Sequence, residues 1–143
     1  MIKIDNIIFE KVWEDEAFIE MRITAISKFS TSYQTCYVDE SGIKQMIDKI
    51  NFYLVDSTQS ISINFGEKAG DYTPAYSMKL MSTDKRGHLK IEVDIEIEDI
   101  DDRSHRCKYF VESELGAVER FGKKALSFYQ SQIGTRISMF QRS

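Results

Sequence analysis

Acidic and aliphatic residues alternate through the segment HLKIEVDIEIEDIDD, residues 88–102. A period of two residues is typical of a β-strand with one buried face and one exposed face. The segment therefore predicts a strand that turns its aliphatic residues toward a core and its carboxylates toward the opposite side. The aliphatic residues are Ile91, Val93, Ile95 and Ile97. The four carboxylates, here called the acidic ladder, are Glu92, Asp94, Glu96 and Glu98.

The segment AYSMKLM, residues 75–81, predicts the hairpin partner of this strand. A slip of one residue in the register would place apolar side chains opposite carboxylates. Pairing Leu80 with Ile91 keeps one face of the whole hairpin apolar and leaves residues 84–87 as the loop. The same register sets Lys79 opposite Glu92, an attractive cross-strand pair worth about 0.2–1 kcal/mol.

The period of the apolar residues changes twice along the chain, which predicts two helices among strands. Helices are predicted over residues 39–54, with Asp39 or Ser41 as N-cap, and 112–130, with Ser113 as N-cap. Further strands are predicted over residues 2–13, 17–26, 31–38, 60–65 and 104–111. The order is β-β-β-α-β-β-β-β-α. Runs of strands with few helices predict the α+β class, with a twisted antiparallel β-sheet and two α-helices packed on one face.

Length and charge limit the classes of function. The 143 residues suit one domain over residues 1–143, and residues 135–143 form a short basic tail interpreted as a flexible or partner-binding segment. The net charge of −4 argues against direct binding of nucleic acid or an anionic membrane. The chain shows no secretion signal and no apolar stretch of membrane-spanning length. Cys36 and Cys107 form no CxxC pair and are interpreted as reduced, small buried residues of a cytoplasmic protein.

The acidic ladder could serve catalysis or metal binding, but the pattern favours neither. A straight strand presents its carboxylates in a row, whereas calcium requires a loop that wraps it. Acid–base catalysis requires two carboxyl groups in unlike environments within a concave site. The spacing of His105 and Cys107 matches no zinc pattern, and a second ligand pair is missing. We therefore expect no metal and no cofactor.

Two interpretations of the ladder stay open. Asp99, Asp101 and Asp102 extend it to seven acidic residues that no lysine or arginine interrupts. The run is either a solvated sheet face, neutralised by bases such as Lys79 and Arg22, or a docking surface for a basic protein partner. A cationic partner would relieve the repulsion between neighbouring carboxylates and associate faster.

Three segments resemble the small bacterial WapI family of immunity proteins. They are FGEKAGDYTPAYSMKL, then RGHLKIEVDIEIED, then CKYFVESELGAVERFGKKAL, within residues 64–128. The shared motifs are a strand beginning with Gly87 and His88, and a final helix that carries Phe121 and Gly122. The resemblance implies a cytoplasmic, non-enzymatic protein that binds and neutralises a basic toxin domain, in some members a domain that cleaves transfer RNA. The ladder, with Asp99, Asp101 and Asp102, would then occupy the toxin's basic groove.

Two alternative functions are also compatible with the sequence. One is a homo-oligomeric scaffold domain, such as a homodimer in which the basic end of one copy meets the acidic strand of another. The other is a small hydrolase that uses His105 with Asp101 or Asp102. A concave site that gathers these residues would favour the hydrolase.

Overall fold

A computed structural model describes residues 4–67 and 73–139 of the chain. The strands are β1 (Asn6–Glu14), β2 (Ile19–Ile26), β3 (Thr31–Val38), β4 (Ile61–Phe65), β5 (Tyr76–Leu80), β6 (His88–Ile97), β7 (His105–Glu114) and β8 (Arg136–Ser138). The helices are α1 (Glu40–Val55) and α2 (Leu115–Gln130), and Asp101–Arg103 forms one turn of 3₁₀-helix. The α+β class and the predicted order of strands and helices are confirmed. β8 follows the predicted elements as a short addition.

The strands divide between two antiparallel four-stranded sheets. Their orders are β3-β2-β1-β8 and β4-β5-β6-β7. Both helices pack against each other, and each contacts strands of both sheets, so the helices lie on the apolar side that the sheets share. β8 belongs to the basic tail of residues 135–143, which therefore begins as part of a sheet. Residues 140–143 of this tail lie outside the described residues.

The predicted hairpin register is confirmed. Leu80 pairs with Ile91, Met78 with Val93 and Tyr76 with Ile95. Lys79 lies opposite Glu92 as expected. The register holds because Ile91, Val93 and Ile95 are all fully buried, and a slip would exchange them with carboxylates.

The core is centred on Phe9, in the middle of β1. Its ring packs edge-on against Phe65 and Tyr76 of the second sheet and against Phe121 and Phe128 of α2, with centroid separations from 4.9 to 6.4 Å. Aromatic pairs in this geometry gain about 0.5–1.5 kcal/mol beyond the burial of their surface. Phe9 thus joins both sheets and a helix in one apolar cluster.

The predicted N-cap of α1 is confirmed, whereas the predicted N-cap of α2 is wrong. Asp39 caps α1 by accepting a hydrogen bond from the amide of Gly42 at 2.7 Å, as predicted. The prediction that Ser113 caps α2 is wrong, because β7 continues through Glu114. Ser113 instead pairs with Leu89 and donates its hydroxyl to the carbonyl of Met139. The segment stays in β7 because its pairing with β6 provides hydrogen-bond partners for its backbone amides and carbonyls.

A buried lysine caps the C-terminal end of α2. Lys11 lies on β1 and is 1% exposed. Its Nζ donates to the carbonyls of Tyr129 and Ser131, at 2.9 and 2.6 Å, and forms an ion pair with Glu14 at 2.7 Å. The last carbonyls of a helix have no partner within the helix and carry partial negative charge. Lys11 therefore satisfies the end of α2 from the neighbouring sheet.

Candidate functional site

The acidic ladder lies on the outer face of the second sheet. Glu92, Asp94 and Glu96 are half-buried on the face opposite the core. The predicted inward and outward orientation is therefore confirmed through residue 96. Glu98 follows the end of β6 and is exposed.

Basic residues of β7 neutralise the middle of the ladder. Arg106 places Nε 2.9 Å from Asp94 and Nη1 3.7 Å from Glu96, and Lys108 lies 3.5 Å from Glu92. Such partly exposed pairs each contribute about 0–1 kcal/mol. Around the middle of the ladder the register places the bases Lys79, Lys90, Arg106 and Lys108 and the acids Glu92, Asp94, Glu96 and Glu112. This part of the face is therefore balanced in charge.

Arg22 is not a partner of the ladder, contrary to the sequence interpretation. It lies on β2 of the other sheet, where its guanidinium is 3.7 Å from Glu10 and lies over the ring of Tyr33. The sequence pattern places Arg22 on an exposed strand face but does not say which sheet that strand joins. The division of the strands into two sheets separates it from the ladder.

The acidic residues beyond β6 lie in and around an exposed turn. Glu98, Asp99 and Asp102 are exposed, and Arg103 pairs with Asp99 at 2.9 Å. The turn is held by the Ser104 hydroxyl, which donates to the carbonyl of Asp99 at 2.5 Å. The side chain of Asp101 lies outside the described residues. We call Glu98, Asp99 and Asp102 the acidic end of the ladder.

His105 does not form a recognisable catalytic group with the described acids. It is exposed at the start of β7, and its Nδ1 lies 2.9 Å from the carbonyl oxygen of Arg103 rather than a carboxylate. The hollow beside it is open and is also lined by Glu98 and Ser104. A second histidine, His88, lies 3.5 Å from Asp84, but this pair is half-exposed in the turn that joins β5 and β6. Asp84 there accepts hydrogen bonds from the amides of Arg86 and His88, which is the role of a turn residue.

An exposed aromatic cluster lies at one end of the first sheet, and the sequence interpretation missed it. It consists of Trp13, Phe18 and Tyr37, which are 41%, 36% and 59% exposed. Their ring centroids are 5.3–6.2 Å apart. The parity of Tyr37, opposite to Cys36 and Val38, signals an outward position. The sequence does not reveal that the three rings meet, because that depends on the pairing of β1, β2 and β3.

A groove of about 960 Å³ begins at the aromatic cluster. Phe18 and Tyr37 line one end, and the walls come from β3, from β4 and from the first turn of α1. Glu98, from the acidic end of the ladder, also lines it. The groove therefore joins the aromatic cluster to the acidic end.

Cys36 lies in the wall of this groove but is itself buried, at 3% exposure. Burial, and then the charges of Glu20 and Glu96, raise the pKa of its thiol from 9.0 to about 12. The folded state therefore favours the neutral thiol over the thiolate. Cys36 and Cys107 are both free cysteines, as the sequence predicts, but only Cys36 is buried and Cys107 is partly exposed.

This shift predicts a loss of stability at alkaline pH. In the unfolded chain the thiol ionises from pH 9.0, whereas in the folded chain it stays protonated to about 12. The unfolded state then binds fewer protons, so the free energy of unfolding falls as pH rises through this window. By pH 11 the fall should reach about 2–3 kcal/mol. Urea unfolding at several pH values should show a flatter profile for Cys36→Ala, and parallel profiles would contradict the prediction.

Across residues 4–67 and 73–139, no three histidine, cysteine, aspartate or glutamate side chains come together as metal ligands would. Neither helix in this part of the chain is long and apolar enough to cross a membrane. Comparisons with protein-family models, curated proteins and solved structures found no match to this chain. The resemblance to the WapI family therefore stays a prediction.

Proposed function

We propose that this chain is a cytoplasmic, non-enzymatic binding protein that neutralises a basic toxin domain by occlusion, as an immunity protein does. The observation that supports this most is the presence of outward carboxylates on a rigid sheet that continue into the acidic end, Glu98, Asp99 and Asp102. A rigid acidic surface loses little conformational entropy when a cationic partner binds. The proposal also follows from the resemblance described above.

The exposure of the acidic end supports a contact there. The middle of the ladder already has Arg106 and Lys108 as neighbours, so a partner gains little by approaching there. The acidic end projects beyond β6 with exposed carboxylates, and the groove connects it to the aromatic cluster. Interfaces typically combine buried aromatic anchors with a charged rim that sets the rate of association. The proposed contact therefore covers the acidic end and the aromatic cluster, with the ladder at its border.

Occlusion would work without any chemical step. A nuclease that grips RNA needs a basic groove for the phosphates. An acidic protein that fills this groove excludes the substrate and gains electrostatic attraction from the same residues. The long-range part of this attraction speeds the encounter and weakens as salt screens it.

A growth assay tests the proposed function. The probe is a basic toxin domain taken from the C-terminus of a secreted protein of the source cell, expressed alone and together with this chain. We expect the domain to arrest growth and the chain to restore it. The absence of rescue, with both proteins produced, would overturn the proposal.

Association kinetics test the contact. Replacing Glu98 and Asp102 by lysine should slow association with the toxin domain by about tenfold or more at low salt, and should weaken the salt dependence. The matched control replaces Asp48 and Glu119, exposed acids on the helices, by lysine. This control makes the same change in net charge. Equal slowing by both variants would mean that net charge alone, rather than the acidic end, governs the encounter.

A further inference from the structure

Trp13 and Tyr37 flank Glu20 on the outer face of the first sheet. Both residues are paired with Glu20 in the strand register, Trp13 from β1 and Tyr37 from β3. Strands on either side of a central strand are about 9–10 Å apart. The two ring centroids are 6.0 Å apart and the ring planes are 87° apart, so the rings meet edge to face beside Glu20. Phe18 completes the cluster, 5.3 Å from Tyr37.

Glu20 is suited to a cation from outside the chain. It is half-buried and forms no ion pair with any residue that the structure describes. A half-buried carboxylate is costly unless a positive group accompanies it. Aromatic faces attract the same cation, and the planar guanidinium of arginine stacks on them better than an ammonium does. A carboxylate beside exposed aromatic rings is therefore a good receptor for arginine.

The groove beside the cluster has room for the residues that flank such an arginine. Its described charged residues are Glu20, Asp39, Glu67 and Glu98 against Lys49. The pKa of the Cys36 thiol in its wall is raised partly by Glu20 and Glu96, in agreement with a negative field there. β3 is the last strand of its sheet, so its outer edge has no strand partner in the described part of the chain. An extended peptide can hydrogen-bond to such an edge.

We infer that Trp13, Glu20 and Tyr37 bind an arginine side chain on an extended segment of the basic partner, with the flanking residues in the groove. This inference rests on the proposed function, because it names the part of the partner that docks. A second copy of this chain fits less well, since each copy carries a net charge of −4 and two copies repel.

Trp13 is the single tryptophan of the chain, so its fluorescence reports directly on this site. The probe is an acetylated and amidated nonapeptide of alternating arginine and serine, with a glutamate–serine peptide as its counterpart. The arginine peptide should shift the Trp13 emission to shorter wavelength in a saturable manner, and the glutamate peptide should not. A lysine–serine peptide should bind more weakly, because an ammonium lacks the planar stacking face.

Two variants and two matched controls locate the binding. Glu20→Gln and Tyr37→Ser should each weaken binding of the arginine peptide about tenfold, measured by calorimetry because Tyr37→Ser also alters the environment of Trp13. Glu119→Gln removes an exposed acid from α2, and Phe110→Ser removes an aromatic residue, 49% exposed, from the other sheet. These controls should stay within about twofold of the unchanged chain.

The outcomes separate this inference from the proposed function. An unshifted Trp13 emission, or equal weakening by variants and controls, would overturn the arginine site. So would a Trp13 shift that depends on protein concentration without peptide, which would indicate a second copy. Rescue of growth that persists in the Glu20→Gln, Tyr37→Ser double variant would overturn the inference and leave the proposed function standing. Arginine-peptide binding without rescue by the unchanged chain would overturn the proposed function and leave the site.

Discussion

Replacing Phe9 by alanine is expected to lower the free energy of unfolding by about 4 kcal/mol. Phe9 is fully buried, and its ring contacts four other aromatic rings from the second sheet and α2. Its removal leaves a cavity where both sheets and a helix meet, so no single element can move to fill it. Urea unfolding at neutral pH measures the effect.

Phe29 provides the matched control. It is 87% exposed, and its ring lies near Lys28 at the turn between β2 and β3. Phe29→Ala should change the free energy of unfolding by less than about 0.5 kcal/mol. A loss below about 1.5 kcal/mol for Phe9→Ala would show that Phe9 is not the centre of the core.

Replacing Lys11 by methionine is expected to cost about 2–4 kcal/mol of stability. Methionine fills a similar volume but cannot donate to the carbonyls of Tyr129 and Ser131, which Lys11 satisfies at the end of α2. Glu14, which is 48% exposed, also loses its ion pair but can be hydrated. The main cost is therefore the unsatisfied helix end. Circular dichroism during urea unfolding would measure it.

Lys44→Met is the control for loss of a lysine charge. Lys44 pairs with Glu40 one turn away on α1, and its side chain is 59% exposed. Exposed pairs of this type contribute about 0.3–0.5 kcal/mol, so the control should be nearly as stable as the unchanged chain. Equal losses in Lys11→Met and Lys44→Met would show that charge, rather than the helix end, explains the effect.

Lys11 also shows why a local pattern can be incomplete. In the sequence it shares the parity of Ile7 and Phe9, which indicates the buried face, but the segment does not show which groups would accompany its charge. Its partners are about 120 residues away, at Tyr129 and Ser131. The same holds for the aromatic cluster, in which Trp13 and Tyr37 meet only because β2 pairs with both neighbouring strands. Periodicity reports on which face of an element a residue occupies, not on what lies opposite that face.

The amino-acid sequence predicts the α+β class, the order of the elements, the hairpin register and the outward direction of the ladder. Each follows from alternation of period two or from helical spacing, which are local properties that burial enforces along one element. Three features are visible only in the folded chain. They are the division into two sheets, the pairing of the ladder with Arg106 and Lys108, and the groove beside Glu20. These features depend on contacts between residues distant in the chain, and the pattern of one segment carries no information about the partner that will pack against it.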